Sequence, residues 1–224
     1  MATAPEILAG LRRQLAERFP TAPRAAARTL RTGLAAIDDA AGGLPLGAIT
    51  EVVCATPSCG GHLLLGQLLG VTRATRTRVA LVDATDSFDP CSFPVDLLAH
   101  LVWVRCPTAT LSAKVSAMAG ALSATDLLAR DANLGLVVLD VRHAVERELR
   151  RTPASFWYRL QRAVEPADLA LVVITPRTAV PSAQLRFILN ASHSVDALGT
   201  GRPALTATLA PALQRQRVAP AAVA

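Results

Sequence analysis

Lysine is almost missing from this chain: Lys114 is the only one among 23 Lys and Arg residues. A phosphate-binding lysine is therefore absent from every other position. Long apolar runs are missing too. The longest, around 62–71 and 134–141, fall short of the roughly 20 residues a membrane helix needs. The opening stretch "MATAPEILAGLRRQ" has no basic start followed by a hydrophobic stretch, so the sequence points to a cytoplasmic protein of bacterial type. Cys54, Cys59, Cys91 and Cys106 form no C-x-x-C pair and stand beside no histidine cluster. That argues against zinc and for reduced structural thiols. No internal repeat is visible, and aromatic residues make up only 4% of the chain.

What is present is a 51% hydrophobic composition over 224 residues, enough for one domain with a buried core. The formal charge is +6 and is carried by arginine. Guanidinium forks suit phosphates and interface carboxylates, which admits a nucleic acid or an acidic protein as partner.

"PEILAGLRRQLAERFP" spaces Ile7, Leu8, Leu11, Leu15 and Phe19 as one amphipathic helix stopped by Pro20. The following "TAPRAAARTLRTG" reads as a tether, so residues 1–31 form a unit apart. From Thr32 to about 210 the pattern changes to short apolar runs at 48–53, 78–84, 101–106, 134–141 and 169–175. These read as strands covered on both faces. Candidate helices lie between and after them, at 62–74, 93–100, 111–131, 153–165 and 181–190. Alternation of this kind predicts an α/β fold with a mostly parallel sheet flanked by helices. "PALTATLAP" alternates like a strand, and residues 211–224 read as a loose basic and apolar tail.

In such a sheet ligands bind beyond the carboxyl ends of the strands, where the loop after residue 53, Asp83 and Asp140 should meet. "CATPSCGGH" (54–62) sits between a strand and a helix, as a phosphate loop does. The motif G-x-x-x-x-G-K-[ST] needs a lysine for the phosphates and a hydroxyl for Mg²⁺. Here Gly60, Gly61 and His62 stand in its place. A mostly neutral histidine replaces neither group. Asp140 closes "LGLVVLD" and reads either as a magnesium-holding strand-end aspartate or as a turn cap.

The order of these pieces resembles the RecA/Rad51 recombinase core over roughly residues 30–210. "TGLAAIDDAAGGLPLGAITEVV" (32–53) is similar to that family's lead-in segment, "VALVDATDSFDP" to its second strand, and "LGLVVLD" to its Walker B strand. The family's water-polarising glutamate falls on Thr85 here. With lysine and glutamate both missing, no catalytic residue and no ATPase are expected. No cofactor is expected either, although backbone amides from Ser58 to Gly61 could still hold a nucleotide weakly. The stretch after "LALVVIT" shows no long glycine-rich DNA-binding insertion. Arg177, Arg215 and Arg217 remain candidate nucleic-acid contacts, with a solvated charged surface as the alternative.

A small RecA-like chain with a degenerate phosphate loop resembles the ImuA family, accessory proteins of SOS mutagenesis sometimes described as SulA-like. That resemblance implies a non-enzymatic role in translesion synthesis. The implied partners are RecA, the Y-family polymerase homologue ImuB and an error-prone replicative-type polymerase, with DNA possible and no membrane. The alternatives are an ATP-binding RecA paralogue and a directly DNA-binding repair protein. Candidate partner contacts are Leu8, Leu11, Leu15 and Phe19, or else these pack on the chain's own core. "FPTA" (19–22) also resembles the Phe-x-x-Ala interface motif of Rad51-type recombinases. In "RHAVERELRRTPASFWYRLQRAVE" (142–165), helical spacing sends Phe156, Leu160 and Val164 inward and leaves Trp157 with the arginines as an interface candidate.

Overall fold

A computed structural model of the protein describes residues 28–106 and 116–217, together with Gln14. The partner contacts expected at Leu8, Leu11, Leu15 and Phe19, and the "FPTA" motif, lie outside the described residues.

The lead-in segment is a small closed unit. β1 (Thr29–Leu30) pairs antiparallel with β2 (Leu44–Pro45), and α1 (Ala35–Ala41) lies between them. Asp38 accepts hydrogen bonds from the Thr32 amide, the Thr32 hydroxyl and the Gly33 amide, each at 2.9 Å. Gly33 has a φ of 72°, and a side chain there would collide with Gln67. Only glycine meets both demands without strain. The Thr-Gly and the Asp of the sequence pattern are thus one hydrogen-bonded knot.

The core follows as β3 (Ala48–Cys54), α2 (Gly61–Ala74), β4 (Val79–Asp83), α3 (Val95–Leu98), β5 (Leu101–Arg105), α4 (Ala117–Leu128) and β6 (Leu136–Asp140). Then come α5 (Glu146–Arg151), α6 (Ala154–Val164), β7 (Ala170–Thr175), β8 (Leu185–Leu189), α7 (Arg202–Ala207) and β9 (Ala212–Gln216). The seven-stranded sheet has the order β5-β4-β6-β7-β3-β8-β9, parallel throughout except for the β8–β9 pair. The fold is α/β, a mostly parallel sheet flanked by helices, consistent with a RecA-like core.

Each face of the sheet carries its own apolar cluster. On one, Leu64, Leu65, Leu68 and Leu69 of α2 pack with Leu185 and Phe187. On the other, Met118 and Ala121 of α4 and Trp157, Leu160 and Val164 of α6 pack with Val82, Leu139 and Val173. This double cover explains why the central strands read as unbroken apolar runs. Within β3, Glu51 is fully buried. Glu51 accepts from the Ala179 amide at 2.6 Å, the Val180 amide at 3.1 Å and the Thr175 hydroxyl at 3.2 Å, while Arg186 Nε donates to it at 2.6 Å. A buried carboxylate persists only when paired and hydrogen-bonded in this way.

The five strands read from the sequence are all present. Four later expectations are corrected. The helix expected at 181–190 is strand β8: Leu185, Phe187 and Leu189 alternate onto the α2 face, while Arg186 turns to Glu51. "PALTATLAP" contains helix α7, with Pro203 in its first turn, where a missing N–H costs nothing. The loose tail expected from 211 begins instead with β9, hydrogen-bonded to β8. Trp157, expected at an interface, is 1% exposed. The burial stripe of α6 runs through Trp157, Leu160, Ala163 and Val164, with Phe156 only partly covered.

Candidate functional site

The carboxyl ends of β3, β4, β6 and β7 lie along one sheet edge, with Asp83 directly beside Asp140 in register. The convergence expected from the sequence is therefore in place. Beyond β3 the chain turns through Ser58 at φ 57° and Gly60 at φ 91°, and α2 begins at Gly61 with no side-chain cap. The Ser58 carbonyl accepts from the His193 amide at 3.0 Å, which ties the loop to the segment after β8. The uncapped first turn leaves amide donors without intrahelical partners.

Gly60, in the left-handed conformation, ends the loop, so Gly61 stands where the motif has lysine. A Cβ on Gly61 would collide with Nη1 of Arg142 and lie 2.9 Å from Cys54 Sγ. Arg142 comes from just past β6 and grips Asp140 with one side of its guanidinium, Nε and Nη2. Its Nε donates to the two carboxylate oxygens at 3.0 and 3.1 Å, and Nη2 donates at 2.5 Å. The Arg142 amide adds a bond at 3.1 Å. The two side chains are 11% and 4% exposed. Burial opposes the guanidinium charge, but the hydrogen bonds and attraction from Asp140 outweigh it, and Arg142 is held protonated. An arginine thus reaches the space a side chain at position 61 would enter, and its charge is matched by Asp140.

His62 does not replace the lysine. It packs edge-on to Phe88 and Phe93, with ring centroids 6.1 and 5.8 Å away. Burial first, and then the charge of Arg142, push its pKa below the usual histidine value, so it is neutral at pH 7.

The second strand end is equally self-contained. Asp83 accepts from the amides of Thr85, Ser87 and Phe88 at 3.3, 3.0 and 2.7 Å. Asp86 forms a two-pronged pair with Arg105 at 2.7 and 2.8 Å, and Asp89 accepts from Cys91 and Ser92. Each of these carboxylates is engaged with neighbouring groups, and the Thr85 hydroxyl is bonded to that of Ser87 at 3.2 Å.

Arg177 follows β7 on this same edge, 3.5 Å from Glu146. Arg215 and Arg217 lie on β9 and just past it, beside the beginning of β8, so they sit toward the opposite sheet edge. Arg215 also donates to the Pro181 carbonyl at 3.1 Å. The three candidate phosphate contacts do not form one strip.

A cavity of about 890 Å³ opens over the loop. Its floor includes Cys54, Cys59, Gly61 and Arg142, and Leu198 and Arg202 line the segment facing them. The residue missed in the sequence is Arg142. Its only signal was an arginine two places past the strand-end aspartate in "LDVRH". Among the described residues, no helix is long and apolar enough to cross a membrane. Compared with protein-family models and with curated proteins, the chain gives no match.

Proposed function

We propose that this chain is a non-catalytic RecA-like accessory protein of the SOS DNA-damage response, of the ImuA kind, acting in the cytoplasm. In this reading it binds RecA and modulates its filament. It also joins ImuB and an error-prone replicative-type polymerase in translesion mutagenesis. The observation that supports it is the Arg142–Asp140 pair, whose guanidinium reaches the space a side chain at position 61 would enter. A nucleotide-hydrolysing site needs a free cation for the phosphates and a free carboxylate for the metal, and here each occupies the other. Thr85 adds a third loss, because a neutral hydroxyl is a poor base for water. A chain that keeps the architecture and gives up the chemistry is suited to contacts with related proteins.

The test titrates purified protein into RecA on single-stranded DNA, following RecA's ATP turnover and direct binding by pull-down. Binding with altered turnover, weakened in a folded Leu11→Glu/Leu15→Glu variant, is expected. Absence of both binding and effect overturns regulation of RecA. A second reading, an ATP-binding paralogue, is favoured by the cavity beside the uncapped start of α2. Calorimetric binding of a non-hydrolysable ATP analogue to the folded wild-type chain would support it.

A further inference from the structure

The segment 191–201, between β8 and α7, is thinly held. The Thr56 hydroxyl donates to the Ala191 carbonyl at 3.3 Å, the His193 amide donates to the Ser58 carbonyl at 3.0 Å, and no residue of the segment is buried. Its middle is a 3-10 turn, Val195–Gly199, and a side chain added at Gly199 would meet nothing within 4 Å. Val195 and Leu198 of this turn are 81% and 85% exposed. Both nevertheless line the cavity of about 890 Å³, together with Leu63 and Leu205, so they stand at its mouth. A volume of that size is near the top of the range for ligand pockets, about 300–1,000 Å³. A small molecule held inside would leave the outer faces of Val195 and Leu198 in water. A protein segment would enter the cavity and cover them as well.

Charge narrows the chemistry of that segment. Among the described residues, no Asp or Glu lines the cavity, whereas Arg142 and Arg202 do. Arg142 is matched by Asp140. Arg202, half-buried, is matched by no carboxylate among the described residues. Its Nη2 donates to the Ser92 carbonyl at 2.8 Å, its Cζ lies 4.5 Å from the centre of the Phe93 ring, and its buried Nη1 has no hydrogen-bond partner. An uncompensated guanidinium beside apolar walls suits a single carboxylate on an apolar body. A nucleoside triphosphate brings several negative charges, and no second unpaired arginine lines the cavity among the described residues.

We propose that this cavity and its Val195–Leu198 rim form a docking groove for a protein segment of apolar side chains carrying one aspartate or glutamate, whose carboxylate pairs with Arg202. The apolar side chains of the incoming segment pack on Leu63, Leu198 and Leu205 and exclude water from the pair. The groove rests on the proposed function only in that the chain works through contacts with other proteins.

The experiment selects a random peptide library displayed on phage against the full chain. Enriched peptides, synthesised with blocked ends, are then measured by fluorescence polarisation. The expected binders combine large apolar residues with one Asp or Glu. Replacing that acid by its amide should weaken binding about tenfold, as should Arg202→Gln, and the two changes together should cost little more than either alone. Leu198→Ser should weaken binding too, while Val95→Ser, at an equally exposed apolar residue outside the cavity, should not. Should Arg202→Gln unfold, the peptide amide and Leu198→Ser carry the test in its place. Binders without an acid, an amide that binds as well as its acid, or binding indifferent to Leu198→Ser overturns the proposal, and so does a library that yields no binder. RecA is absent from this experiment, so failure of RecA regulation and failure of the groove are read separately.

Discussion

The guanidinium of Arg142 fills the volume that a side chain on Gly61 would enter. Restoring the motif lysine by Gly61→Lys therefore meets an occupied space, and overpacking of this kind costs about 1–3 kcal/mol. Urea denaturation should show Gly61→Lys destabilised, and Gly61→Lys/Arg142→Ala should recover part of the loss. ATP turnover should stay at background in both, because position 85 still holds a threonine.

Arg142→Met removes the partner of a buried carboxylate. Breaking one side of such a pair costs about 3–5 kcal/mol. The Arg142→Met/Asp140→Leu double variant should lie well above the sum of the single losses, since it leaves no unpaired charge. A double-mutant cycle in urea checks this, and additivity would show that the pair is not coupled.

His62 gives stability a pH dependence. Its folded-state pKa is depressed below the ordinary value of 6.5, first by burial and then by Arg142. The contribution is fully present above 6.5 and is lost as pH falls through the lower, folded value, because the unfolded chain takes up the proton first. Burial and Arg73 depress His100 in the same direction. Melting temperature should therefore fall from pH 7 toward pH 5, and His62→Gln should flatten part of that slope.

Trp157→Ala should act as a core truncation, costing about 3–5 kcal/mol in urea. Under conditions where the variant remains folded, its affinity for any partner should match the wild type. A folded variant with impaired partner binding would return Trp157 to an interface role.

The central strands were legible because both faces are covered, so 48–53, 78–84, 134–141 and 169–175 had no polar face to disguise them. β8 was not, because Arg186 interrupts its apolar run, and the Glu51 that accommodates it lies 135 residues earlier. β9, "ALQRQ", is an exposed edge strand whose sheet partner is β8 alone, so local composition resembles a tail. At the site, the loop glycines, His62 and Asp140 could be placed from spacing alone. Arg142 could not, since its meeting with Gly61 is made by the sheet order and not by sequence proximity.

Strand β3, which carries the loop, has only β7 and β8 as neighbours in the sheet. Both come far along the chain from β3, beginning only at Ala170 and Leu185. During synthesis the loop consequently has no seat until Leu189 has emerged, and a nascent fragment stopping before Ala170 would expose β3 along both edges. Long-range pairing of this kind is intrinsically slow and leaves strand edges unpaired until it is complete.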